Sequence, residues 1–195
     1  MDALDFFRVR YDEFHRSLWS ELTKDLSPAE VRGRPHPKAN TIAWLIWHTA
    51  RVEDIGVNRF VVDGRQVLDA GGWLDRMKLR RRDVGTGMSD REVDELSAAI
   101  DLDGLRGYWE AVMVSTREVV ARLPCEDLTA IVPADRVKRV AADEGAVAAN
   151  AGWLTEFWAK GRTRAWVLAQ TPLLHVYGHY FEARVVKGLW GHPSP

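Results

Sequence analysis

The 195-residue sequence is short of the features that would assign it quickly to a membrane, a nucleic acid or an oxidising compartment. It has a single cysteine, Cys125, so no internal disulfide can form, and nothing in the chain calls for oxidising secretion. Cys125 follows Pro124, where a helix should stop, and the C-terminal end of a helix disfavours a thiolate. No apolar stretch reaches the ~18 residues that a membrane span needs. The opening Met1-Asp2-Ala3-Leu4-Asp5 lacks the basic start of a signal peptide, so a cytoplasmic protein is expected. Charge of one sign is lacking too. The formal net charge is -1, and 27 Lys and Arg are dispersed along the chain, without the basic footprint that phosphate-backbone binding leaves. The one basic run, Lys78-Leu79-Arg80-Arg81-Arg82, falls in a Gly-rich connection and reads as a solvated loop. Alternating β patterns and repeats of 20 to 50 residues are absent as well.

What is present is helical periodicity. Leu4, Phe7, Tyr11, Phe14, Leu18 and Leu22 recur at three and four over residues 2 to 24 and predict an amphipathic helix. Ser27-Pro28-Ala29-Glu30 carries the signals of a short capped turn. Asn40 or Thr41 can cap a second long helix running to about Val62, whose first half is nearly all apolar and therefore deeply buried. Residues 63 to 88 hold five glycines and no sustained period, which predicts a long connection able to lie over a pocket mouth. Ser89-Asp90-Arg91-Glu92 starts a short helix, and Asp101 or Asp103 caps a third long one that ends at Pro124. Residues 124 to 162 should form short helices joined by turns. The last long helix runs from Trp166 to Leu189, with Pro172 either kinking it or following a fresh cap at Thr171. The expected fold is all-α: one domain over residues 1–195, a four-helix bundle with long connections and short additional helices.

Three histidines carry the chemistry. His175 and His179 are one helical turn apart, so both imidazoles stack on one face. His48 lies in the apolar run Thr41-Ile42-Ala43-Trp44-Leu45-Ile46-Trp47-His48, on a stripe with Leu45, Val52 and Ile55. If the second and last long helices face each other, the three converge in the bundle, and three nitrogens without a fourth protein ligand are the pattern of an open, catalytic metal position. Imidazole suits several first-row divalent ions. The alternatives are a surface pair at 175 and 179 and a core histidine at 48 bonded to a backbone carbonyl. Arg51, one turn after His48, could bind a substrate carboxylate or bridge to Glu53, Asp54 or Glu182. Glu53, Asp54 and Glu182 are candidate acceptors for the outer imidazole N–H groups. Nine tryptophans could line a pocket or fill the bundle. His15, His36 and His192 read as exposed.

The segment Ile42-Ala43-Trp44-Leu45-Ile46-Trp47-His48-Thr49-Ala50-Arg51-Val52-Glu53-Asp54, together with the C-terminal His-x-x-x-His, resembles the DinB-like superfamily of metal-binding four-helix bundles. That superfamily includes low-molecular-weight-thiol transferases and mycothiol-dependent maleylpyruvate isomerases. The resemblance implies a tri-histidine site at His48, His175 and His179, a divalent metal such as zinc or nickel, and a metal-bound thiolate as nucleophile. A non-catalytic metal or small-ligand binding protein is the alternative. Sulfoxide synthases with a related helical domain need a second catalytic domain for which 195 residues leave no room. Arg outnumbers Lys 21 to 6, which hints at a GC-rich genome and makes mycothiol the first thiol to consider. The expected partners are a small-molecule thiol and an electrophilic substrate, with neither nucleic acid nor membrane, and a homodimer is expected.

Overall fold

A computed structural model describes residues 1–192. Four long helical rods form its frame. The first, α1 (Ala3–Thr23), starts at a capping box in which Asp2 and Asp5 exchange bonds with each other's backbone N–H. After the short α2 (Pro28–Arg32), capped by Ser27 and Glu30, Thr41 accepts from the Trp44 amide and opens α3 (Ile42–Asp54). Such caps each contribute about 1 kcal/mol. Every residue of α3 is buried, as its apolar run requires, and a π-helical segment, Ile55–Val61, prolongs the rod.

Two single-turn helices, α4 (Val67–Ala70) and α5 (Trp73–Arg76), punctuate the glycine-rich connection before α6 (Asp90–Ala99). The third rod is α7 (Leu102–Arg122), capped by Asp101 rather than Asp103. Short pieces follow, among them α8 (Ala134–Ala142) and α9 (Trp153–Trp158). The fourth rod is compound: α10 (Arg164–Ala169), capped by Thr163, a π-helical segment Gln170–His175, and α11 (Val176–Leu189). Pro172 explains the interruption. It has no N–H for the carbonyl one turn back, and its ring crowds that carbonyl, so the helix widens there instead of breaking.

The packing is a closed square. α3 lies against α7 and α11, and α1 closes the other side against the same two helices. This is the all-α bundle the sequence predicts, with no named strand among the described residues; a lone bridge pairs Ile131 with Thr163. The two π-helical segments meet at Gly56, where a Cβ would lie 2.2 Å from the Thr171 hydroxyl. Only glycine permits that approach, and it draws the fourth rod onto α3 just before His175.

Two expectations fail. His15, read as exposed, is fully buried and belongs to the α1 core stripe, while Phe14 is partly buried and turns to the rings of Tyr177 and Tyr180. An aromatic stack on Tyr11 at 3.9 Å and a bond between His15 Nδ1 and the Tyr11 carbonyl at 3.0 Å make that burial tolerable. His192 is half-buried, with Nε2 3.0 Å from Glu30. His36 is exposed as expected.

Candidate metal centre

α3 and the fourth rod bring His48, His175 and His179 together, each offering one ring nitrogen, all within 4.8 Å of one another. The group could hold a metal ion. His48 Nδ1 donates to the Val84 carbonyl, which leaves Nε2 to face inward, 3.1 Å from His175 Nε2. His179 Nδ1 donates to Glu182 at 2.8 Å, so its Nε2 is the free nitrogen. Glu182 is itself held by the Asn40 amide at 2.7 Å. Two of the three imidazoles are thus fixed in tautomer and orientation by partners on their outer nitrogens, the arrangement that orients metal-binding histidines.

His175 supplies the test of fit. Its Nδ1 is buried without a hydrogen-bond partner. With the proton on Nε2, it can donate to His48 while Nδ1 keeps an unpaired lone pair. With the proton on Nδ1, two lone pairs face each other across 3.1 Å. A cation between the rings converts that repulsion into coordination, so the donor set fits a metal.

The electrostatics favour the neutral form of His48 and His175. Burial, reinforced by the His179 ring, pulls His48 down to about 4 although the Val84 carbonyl favours its charged form. Burial and the two neighbouring imidazoles likewise hold His175 well below the usual histidine range. Burial pushes Glu182 upward, but the bonds from His179 and Asn40 outweigh it and keep the carboxyl below its ordinary value. Neutral imidazole is the form that coordinates.

The surroundings come from α3 and the glycine-rich connection. Trp44, one turn before His48, stacks on its ring at 4.6 Å and 8°. The glycine-rich connection crosses the site: Val84 turns its carbonyl to His48, and its amide donates to the Ala146 carbonyl at 3.0 Å. The next residue, Gly85, has φ +81°, and a Cβ there would lie 2.5 Å from the Trp47 ring. Glycine therefore lets the loop lie flat over α3.

Arg51 takes no part in the cluster. Its guanidinium donates to Asp54, Tyr108, Gln66 and the Arg82 carbonyl, all buried or partly buried, which is the bridging role to Asp54. Nor do Glu53 and Asp54 receive imidazole bonds from the triad; Glu182 alone of the three candidates does. The basic run is acid-paired and only partly exposed: Lys78 bonds to Asp101, Arg81 to Asp83 and Glu92, and Arg82 to Asp69, while Leu79 is buried. Sequence reasoning missed the Val84 carbonyl, for which no side-chain signal exists, and Asn40, which was a candidate cap. No helix among the described residues is long and apolar enough to cross a membrane.

Comparison with known proteins agrees with this architecture. The family model of the DinB superfamily matches residues 11–161, a span that includes His48 and stops before His175 and His179. No curated protein matches the chain. The crystal structure of a conserved protein from Enterococcus faecalis is similar, with a TM-score of 0.66 at 18% identity, covering 96% of this chain and 99% of that one. At that identity the likeness concerns the fold.

Proposed function

The chain belongs to the DinB superfamily, and from that we propose a metal-dependent transferase or isomerase that uses a low-molecular-weight thiol, mycothiol being the first to test. The observation that carries the reading is the convergence of three imidazoles, with His48 held by the Val84 carbonyl and His179 by Glu182. Zinc or nickel suits an all-imidazole set. A divalent cation, when bound, would supply Lewis acidity that lowers the pKa of a thiol and favours its thiolate.

The residues of the chain do the rest. His48, His175 and His179 come from two rigid rods, which limits the ordering cost of forming the centre. Glu182 and the Val84 carbonyl hold the proton on each Nδ1, so that the inner nitrogens stay available. Trp44 covers the His48 ring and keeps water from that face. The net chemistry is substitution or addition at carbon. The S–H bond breaks with its proton released to solvent and an S–C bond forms. In transfer a leaving group departs with its electron pair. In isomerisation the π electrons of an activated C=C move onto the conjugated carbonyl oxygen, the carbon–carbon bond rotates, and the C=C re-forms as the S–C bond breaks and the thiolate leaves. The chain is taken to act in the cytoplasm, on small molecules, as a homodimer.

The test begins with elemental analysis of protein purified without an affinity tag. About one divalent ion per chain is expected, reduced to background by replacing His175 and His179 together with alanine. Metal content indifferent to that double substitution would refute the centre. Turnover of a thiol and electrophile panel that His48→Ala abolishes supports the enzyme. Tight ligand binding without turnover makes the protein a metal-dependent binder instead.

A further inference from the structure

His175 has a second neighbour besides the triad. It forms part of the wall of a cavity of ≈ 210 Å³ that is also lined by Val52 of α3 and by Trp153, Leu154, Phe157 and Trp158 of α9. Thr86 of the glycine-rich connection and Gln170 and Thr171 of the π-helical segment add polar side chains, and the Thr171 hydroxyl is already bonded to the Val167 carbonyl. An apolar cavity of about 150 Å³ is large enough to bind benzene, so this one holds a substituted ring. A second space touching the triad, against His179, is ≈ 10 Å³ and admits nothing beyond a water.

The lining is selective in its chemistry. No Lys, Arg, Asp or Glu contributes to it, and Arg51, the cation one turn from His48, is spent on Asp54, Tyr108 and Gln66. In the metal-free protein a carboxylate placed there would lose hydration with no counter-charge from the lining. Two polar side chains of the lining have unused capacity: Thr86 and Gln170 make no side-chain hydrogen bond among the described residues. Mostly apolar and aromatic walls with a few unsatisfied polar groups are the composition of a small-molecule site. Trp153, 62% exposed, stands at its rim.

We infer that this cavity takes an uncharged, aryl-sized group of the electrophile, with the His175 ring as the wall it shares with the metal centre. The word electrophile rests on the thiol-transfer reading; the selectivity for a neutral ring over a carboxylate does not. Thr86 and Gln170 would orient a carbonyl, hydroxyl or amide substituent of that ring.

The test is fluorine NMR on the full-length, metal-free protein with 4-fluorobenzyl alcohol as the neutral probe and fumarate as a dianionic competitor. The fluorine signal should broaden and shift on adding protein and be indifferent to fumarate. Thr86→Phe, which fills the space from a loop, should weaken binding about tenfold or more, and Trp153→Ala, an exposed position, should weaken it several-fold without altering the melting temperature. Equal affinity in the parent and both variants, or displacement of the probe by fumarate, would overturn the assignment. If the variants weaken the probe while metal-loaded protein joins no thiol to any electrophile, the cavity stands and the transferase reading falls. Turnover without cavity-dependent probe binding overturns the cavity alone.

Discussion

Two polar clusters share α3, and they are built on opposite principles. The one around Asp54 is closed. Its two oxygens accept from Arg51, Tyr108, Asn58 and the Val67 and Leu68 amides at 2.8 to 3.1 Å, so every strong donor that points at it is used. One face over, Glu53 is similarly bound by Tyr11 and Thr116. The cluster around His48 is open. Its outer nitrogens at His48 and His179 are fixed, while its inner nitrogens face one another and His175 Nδ1 goes unpaired. A satisfied buried network ties elements together, and an unsatisfied convergence of the same polar types is capacity kept for a ligand. That contrast separates structure from site where residue type alone does not, since both clusters are polar and each includes buried side chains of α3.

Substitutions should therefore have opposite consequences in the two clusters. Asp54→Ala leaves the buried Arg51 charge and two loop amides without their acceptor, and should cost about 3–5 kcal/mol in urea unfolding of the metal-free protein. A loss below 1 kcal/mol would mean that the network is not what pins the glycine-rich connection to α3. Glu182→Gln should show the reverse. It removes the charge that orients His179 and should weaken metal binding by about 10–100-fold, with little change in the stability of the metal-free chain. Equal metal affinity in the variant would remove Glu182 from the centre. The two segments that meet between the clusters give an intermediate case. Gly56→Ala pushes a methyl group against Thr171, an overpacking cost of about 1–3 kcal/mol that better helix propensity offsets by about 1. A fall in thermal stability accompanied by weaker metal binding is expected, because Thr171 lies in the segment that ends at His175. Unchanged affinity in that variant would uncouple the crossing from the site.

The same contrast explains what could be read in the sequence. Helix limits were legible because caps and periodicity are local: Ser27, Thr41, Ser89 and Asp101 stand where the rods and short helices begin. The triad was legible because His175 and His179 share one helix face and His48 sits in an apolar run that must be buried. Glu182 lies three residues after His179, so its spacing carried the signal for its bond. The Val84 carbonyl carried none, since any residue type presents a carbonyl and only the path of the loop aims this one. His15 misled for a related reason. A histidine breaks an apolar stripe in sequence, and the aromatic stack and backbone bond that let it enter the core are tertiary facts. Arg51 could not be settled from spacing either, because its partners Tyr108 and Gln66 come from different elements.

The smallest expected effect lies at an exposed cluster that is also closed, and it tests whether closure matters without burial. Glu30 accepts from the Ser27 hydroxyl and amide in the α2 capping box and pairs with His192. The Ser27 hydroxyl foremost, then His192, holds its carboxyl down at about 2. A carboxyl depressed in the folded state contributes stability that is present above its ordinary value near 4.5 and lost as pH falls from there through about 2. Glu30→Gln keeps an acceptor for the box but removes the charge. The stability difference between parent and variant should therefore be small at pH 7 and shrink to nothing as the pH is lowered toward 2, as read from urea midpoints at matched pH. A difference that persists unchanged at pH 2 would assign the contribution of Glu30 to its hydrogen-bond geometry rather than its charge. Closure alone would then stabilise an exposed cluster as it does the buried one around Asp54.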